Sequence, residues 1–166
     1  DRVLGDRAPH QLIESLLIAC HAISAKWGFI FIRGEYARQI KVLDKALAEA
    51  EKAGLSGDVK LRLMRGAGAY ICGLDTALLE TMEGKKAWPR QPPPFPTVAG
   101  LMGKPTVVNN VETLSMLPHI VKNGGEWFAK IGVPGNPEKK FNPSGGTGVY
   151  SVSGDVEKPG VYEFPM

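Results

Sequence analysis

The sequence predicts an α/β protein built on a parallel sheet, and three observations predict it. Two short strand-like runs, GFIFIRG at 28–34 and VKLRLMR at 59–65, flank the most regular helical pattern in the chain. A second helical pattern precedes the first run. A third follows the second run, after a glycine-rich turn. This β–α–β–loop–α order suits parallel strands, which need a long crossover and are covered by helices.

Along the chain, residues from about Pro9 to Lys26 read as an apolar helix, because Leu12, Ile13, Leu16, Leu17 and Cys20 recur at spacings of three and four. GFIFIRG is a short apolar run bounded by glycines, as a buried strand is. Residues 35–54 carry Ile40, Leu43 and Leu47 on one stripe, alanine filler, and Gly54 as a stop. In 59–65, Val59, Leu61 and Leu63 alternate with Lys60 and Arg62, the mark of a half-buried strand. The next helix runs from about Asp75 to Glu83.

Residues 88–106 then carry six prolines and predict a stiff, extended surface crossing, neither regular helix nor central strand. Helical pattern returns at 109–132, with Asn109 or Asn110 as N-cap and Pro118 placed to split it in two. Residues 132–148 read as a loop or linker. Residues 149–165 read as two strands around a Gly/Pro turn, the start of a β-rich second domain.

At 166 residues there is room for one domain and part of a second. A hydrophobic fraction of 43% and a charged fraction of 22% are ordinary for a soluble protein. A net charge of +3 from scattered basic residues argues against a nucleic-acid partner. No apolar run reaches the ~18 residues of a membrane span. Residues 11–23 come closest and are interrupted by Glu14, Ser15 and His21. Cys20 and Cys72 are too few for a disulfide framework, and no CxxC offers zinc or iron–sulfur ligands, so a reduced, cytosol-like compartment is expected. The start at Asp1, with no signal peptide, and the end on YEFPM in mid-pattern suggest a piece of a longer chain.

The chemistry concentrates in GAGAYICGLDTALL at 66–79. A strand, a glycine-rich turn and a helix start form a familiar anion site. Gly66 and Gly68 occupy the first two places of G-x-G-x-x-G, but the third holds Ile71 and the next glycine is Gly73, so the dinucleotide fingerprint fails. A P-loop fails as well, since Gly84-Lys85-Lys86 lacks the upstream glycine and the Ser/Thr. Two readings stay open for the turn: simple punctuation, or a nucleotide loop. Asp75 is likewise either a helix cap or dipole partner, or an acceptor for ribose hydroxyls that repels a 2′-phosphate.

Two long motifs carry a resemblance: GAGAYICG through TALLE, EGK, PR and PPFP, and then GKPT followed by VNNVETL. Together they resemble the NADH-binding FMN flavoprotein subunit of respiratory complex I (NADH:quinone oxidoreductase), and the related diaphorase subunits of NAD-linked hydrogenases and formate dehydrogenases. The likeness covers nearly the whole chain, as an internal fragment. It implies a partial Rossmann-like FMN/NADH-binding domain at 1–132, a linker at 133–148, and the first hairpin of a β-grasp (ubiquitin-like, soluble-ligand-binding) domain at 149–166. It implies hydride transfer from NADH to FMN and onward transfer to iron–sulfur clusters, one of them in a C-terminal region beyond this sequence. Implied partners are iron–sulfur and thioredoxin-like subunits of a multi-subunit complex, cytoplasmic and peripheral to the inner membrane if that complex is complex I.

By the same resemblance, Gly66, Gly68, Tyr70 and Gly73 form the loop that passes flavin and NADH. Asn109, Asn110 and Thr113 hydrogen-bond the FMN ribityl-phosphate, or else form an ordinary capping cluster. Phe95 stacks on the NADH adenine, or else is a core phenylalanine. Asp75 faces the adenosine ribose. No acid, base or metal ligand is implied, since the flavin does the chemistry.

The sequence also departs from the family. Leu74 and Asp75 stand where two glutamates are usual, Pro92 replaces a basic residue before PPFP, and several residues are missing around GLSGDVK. These departures motivate an alternative: a divergent structural or assembly module without nucleotide turnover. His10, His21 and His119 share no metal-ligand spacing. Cys72 reads as a small hydrophobe. Lys85, Lys86 and Arg90 read either as phosphate attractors or as a solvated helix end, and Trp27, Trp88 and Trp127 as packing residues.

Overall fold

The computed structural model describes residues 1–134 and 144–166, which fall into two compact units, Asp1–Leu114 and Ser115–Met166. The first unit opens with α1 (Arg2–Arg7) and α2 (Pro9–Ala22). Pro9 lies in the first turn of α2, where a missing N–H leaves no bond unmade. The helix stops short of Lys26 because Ser24 adopts a left-handed backbone (φ 56°) and turns the chain into β1 (Trp27–Arg33).

From β1, α3 (Ala37–Lys52) crosses over to β2 (Lys60–Gly66). The strands pair in parallel from Trp27↔Lys60 to Arg33↔Gly66, so they finish side by side. The core joins Leu12, Ile13, Leu16 and Cys20 of α2 to Leu43, Ala46 and Ala50 of α3 and Ile30 of β1, with Ile32, Leu61 and Leu63 packed against it. These are the apolar stripes of the two helices and alternate residues of the strands, as the sequence patterns require. At the other alternate positions Trp27 stacks on Phe29, with centroids 5.9 Å apart. α1 is fastened to α3 through Asp6, whose carboxylate accepts from Gln39 Nε2 at 2.9 Å and pairs with Arg38 Nε at 3.2 Å.

After β2 a 3-10 turn (Tyr70–Gly73) leads into α4 (Asp75–Met82), which buries Ala77 and Leu79. The Pro-rich crossing is not wholly extended, contrary to the sequence expectation. It contains α5 (Pro96–Ala99) and a 3-10 turn at Leu101–Gly103. Proline is excluded from a helix interior but suits its first position, and Pro96 stands there. Thr106 folds the segment back: its N–H donates to Pro96 O, and its Oγ1 accepts from Leu101 N, both at 2.9 Å.

The helical region at 109–132 forms three pieces, not two: α6 (Val111–Ser115), α7 (Leu117–Asn123) and α8 (Gly125–Ile131). The second break falls at Gly124, whose φ of 89° no helix interior tolerates. By compactness α7 and α8 belong to the second unit, together with β3 (Thr147–Val152) and β4 (Gly160–Pro165). These strands pair antiparallel from Thr147↔Pro165 to Val152↔Gly160, the hairpin the sequence predicts. Residues 135–143 of the expected linker lie outside the described residues. Among the described residues no helix is long and apolar enough to cross a membrane.

Candidate functional site

A cavity of about 480 Å³ opens where β1 and β2 end, within the ~300–1,000 Å³ usual for small-ligand sites. Arg33 and Gly66, the last residues of the two strands, line it. So do Gly68, Tyr70, Cys72 and Gly73 of the glycine loop, Asp75 and Leu78 of α4, and Asn109 and Asn110 ahead of α6. Ligands of parallel α/β sheets bind outside the carboxyl ends of the strands, which is where this cavity lies.

Backbone contact shapes its floor. Gly34 N–H donates to Gly66 O at 3.0 Å, and a Cβ on Gly34 would lie 2.6 Å from that oxygen, so only glycine allows the clasp. Gly68 has φ 87°, and its Cβ would lie 2.9 Å from Glu35 Oε1. Both conditions disfavour a side chain. At Gly73, by contrast, a Cβ would meet no protein atom within 4 Å. The wall there is bare backbone beside open space. Tyr70 stands out from the loop, 89% exposed.

The two asparagines differ. Asn110 Oδ1 accepts from Glu112 N–H at 2.8 Å, which makes Asn110 the N-cap of α6, and its Nδ2 donates to Asp1 Oδ2 at 3.0 Å. Asn109 has no side-chain partner among the described residues and presents a free amide to the cavity. Asp75 is not a cap: it is the first helical residue of α4, and the N-cap position belongs to Leu74. Its exposed carboxylate lines the cavity, while its favourable place at a helix start remains.

Of the residues named from the sequence, Gly66, Gly68, Tyr70, Gly73, Asp75, Asn109 and Asn110 converge on this cavity. Phe95 and Thr113 are not among its lining residues. Phe95 is 60% exposed, so it does not plug a core. Arg33, which no sequence motif marks, also lines the cavity, and its guanidinium has no acidic partner among the described residues. The only signal for it in the sequence is its position at the end of the first strand. Arg2 lines the cavity as well, 5.7 Å from the Tyr36 ring centroid. Cys72 is half-buried, with Sγ 3.2 Å from Thr81 Oγ1. The described residues contain no group of three or more His, Cys, Asp or Glu that could hold a metal. None of the three tryptophans is buried as the packing reading expects: Trp88 is 71%, Trp27 49% and Trp127 39% exposed.

Arg90 is neither a solvated helix end nor a phosphate contact. Its Nε reaches Glu80 Oε1 at 2.5 Å, Nη2 reaches Glu83 Oε1 at 2.7 Å, and Nη1 donates to Gly100 O at 2.8 Å. The Glu83 side chain is only 7% exposed and also accepts from Lys85 Nζ and Met102 N–H, each at 2.8 Å. Lys85, the Met102 amide and Arg90 together hold the Glu83 carboxyl down at about 2. In an unfolded chain the same carboxyl titrates near ~4.3, so acid favours the unfolded state across that window. Protection of the Met102 amide, corrected for intrinsic exchange, is therefore expected to fall as pH drops from about 4.5 to about 2. Glu83→Gln should lower that protection at pH 7 and flatten its pH dependence.

The family model described as the Nuo51 FMN-binding domain matches residues 1–119. Over its full length the chain is 48% identical to the second F-type subunit of NADH-quinone oxidoreductase from Rhizobium meliloti (strain 1021), covering 39% of that protein. It is 46% identical to the F-type subunit of NADH-quinone oxidoreductase from Aquifex aeolicus (strain VF5), again covering 39%. The chain thus spans about two fifths of these curated relatives. Among solved structures, an NAD+-reducing nickel–iron hydrogenase in the H2-reduced state superposes with a TM-score of 0.88 at 42% identity, over 99% of this chain and 28% of that one. With the matched region taking in β1, β2, the glycine loop and both asparagines, the chain belongs to the Nuo51 FMN-binding domain family.

Proposed function

We propose that the chain is the central part of an FMN-containing NADH dehydrogenase subunit, which passes hydride from NADH to FMN and electrons onward to iron–sulfur clusters. What carries this reading is a convergence: the bare loop 66–73 and the amides of Asn109 and Asn110 meet in one cavity at the ends of two parallel strands.

The residues present fit FMN. The open face at Gly73 leaves room for a flat ring, with Tyr70 beside it. The Asn109 amide and the Arg33 guanidinium, which has no acidic partner among the described residues, suit a ribityl chain and its phosphate. When bound, FMN supplies a two-electron acceptor for NADH and a one-electron donor to the clusters. The residues of this chain bind and orient. Asp75 accepts from the adenosine ribose hydroxyls of NADH, and Phe95 offers its exposed ring to the adenine.

In this reading residues 1–132 form a partial Rossmann-like domain, 133–148 a linker, and 149–166 the first hairpin of a β-grasp domain. The protein works in a multi-subunit assembly with iron–sulfur and thioredoxin-like partners, on the cytoplasmic side. The test is fluorescence titration of the full-length apoprotein with FMN. Saturable quenching supports the proposal, and no binding would leave a structural module of the same fold. Asp75 carries a narrower expectation. Asp75→Ala should narrow the preference for NADH over NADPH by about tenfold, since it removes the charge that repels a 2′-phosphate. An unchanged ratio of kcat/KM values would remove Asp75 from that role.

A further inference from the structure

We propose that Arg90 is a positioning residue that sets the spacing between Phe95 and Asp75, and so the fit of the site to the adenosine half of NADH. The inference rests on the roles given to those two residues under Proposed function. Nothing in it requires Arg90 to touch NADH.

The geometry is that of a closed strap. Arg90 Nη1 donates to Gly100 O at 2.8 Å, which closes residues 90–100 into a loop with Phe95 at its middle. The same guanidinium is bolted to α4 through Glu80 and to the C-cap residue of that helix, Glu83. Its own backbone N–H donates to Thr76 Oγ1 at 3.1 Å, one residue from Asp75. Glu83 reaches past the strap to the Met102 amide, so both ends of the loop meet one helix. Beyond the strap, Thr106 ties back to Pro96 and Leu101. Phe95 itself is exposed and gains little from packing. Its place relative to Asp75 thus follows from the strap, whose two ends the Arg90 fork joins to each other and to Glu80 and Glu83.

That fork explains why arginine is needed. Its three nitrogens are spent on three different acceptors, two carboxylates and a carbonyl, at fixed angles. Lysine offers one charged atom and cannot hold all three. The Glu83 side of the fork stays ionised to about pH 2, so the clamp does not loosen at physiological pH.

The test uses the full-length, FMN-loaded protein, with NADH as donor and ferricyanide as acceptor. Arg90→Met is expected to raise KM for NADH about tenfold with kcat within about twofold, the mark of lost uniform binding. FMN content should stay unchanged. Arg90→Lys should fall between Arg90→Met and wild type. Phe95→Ala should raise KM comparably, and the double variant should raise it no further, because both changes remove one positioned ring. A raised KM in Phe95→Ala with wild-type KM in Arg90→Met overturns the inference alone. So does an Arg90→Met that lowers only Tm, or a double variant whose effects simply multiply. An unchanged KM in Phe95→Ala overturns both this inference and the reading of Phe95 on which it rests. Should Arg90→Met fail to accumulate, Glu83→Gln attacks the same clamp from the helix side, and the same KM and kcat readouts decide.

Discussion

Asn109→Ala in the full-length protein is expected to weaken FMN binding by about 10- to 150-fold, as loss of a hydrogen bond to a charged group costs about 1.5–3 kcal/mol. The melting temperature of the apoprotein should not change, because the Asn109 side chain has no partner among the described residues to lose. Asn110→Ala should show the reverse balance. Its Oδ1 caps α6 and its Nδ2 holds Asp1, so only part of the amide is free for a ligand. Removing a cap costs about 0.5–2 kcal/mol of stability. The order of affinity losses should therefore be Asn109 before Asn110, and the order of Tm losses Asn110 before Asn109. Thr113, exposed on α6 and outside the cavity lining, should contribute least. FMN titration and apoprotein melting of the three single variants and the triple variant decide the matter. Wild-type FMN affinity in the triple variant would sink the flavin assignment.

The second large effect is expected at Gly34, which is not among the lining residues of the cavity. In Gly34→Ala the new methyl would stand 2.6 Å from Gly66 O, a backbone atom that cannot rotate away. Overpacking of this kind costs about 1–3 kcal/mol. It also displaces Gly66, where the glycine loop begins, so FMN affinity should drop with stability. Gly73→Ala is the matched contrast. Its methyl meets nothing within 4 Å, so the apoprotein should melt as wild type. On the proposed reading the same methyl enters the space of the flavin, and affinity should fall regardless. If Gly73→Ala binds FMN normally, the bare face at that glycine is not part of the flavin wall.

Much of the first unit could be read from local pattern. The stripe of α3 and the alternation of β2 appear in the structure close to where periodicity puts them, because one buried face per element is set by neighbours three, four or two residues away. The glycine turn and the hairpin at 147–165 were legible for the same reason. What stayed hidden depends on distant partners. Asn110 meets Asp1 from the opposite end of the unit. Arg90 meets Glu80 and Gly100 only because the crossing folds back, which a segment so rich in proline did not suggest. Arg33 acquires its interest from β pairing with Gly66, invisible until the register is known. Phe95 and Thr113 came from family likeness alone, and neither lines the cavity.

The clasp between Gly34 and Gly66 bears on how the chain tolerates change in length. The connection from α3 enters β2 at Lys60, opposite Trp27, while the clasp sits at the far end of seven paired positions. At ~3.3 Å per residue, roughly 20 Å of registered ladder separates the two. Residues can be trimmed from or spliced into GLSGD at 54–58, ahead of the core-packed Val59 and the paired Lys60, without moving the floor of the cavity, because the ladder and the clasp fix the strand ends whatever length of chain feeds them. The short connection here is thus no sign of a decayed site, and the same spot is where a reporter could be inserted with the least disturbance.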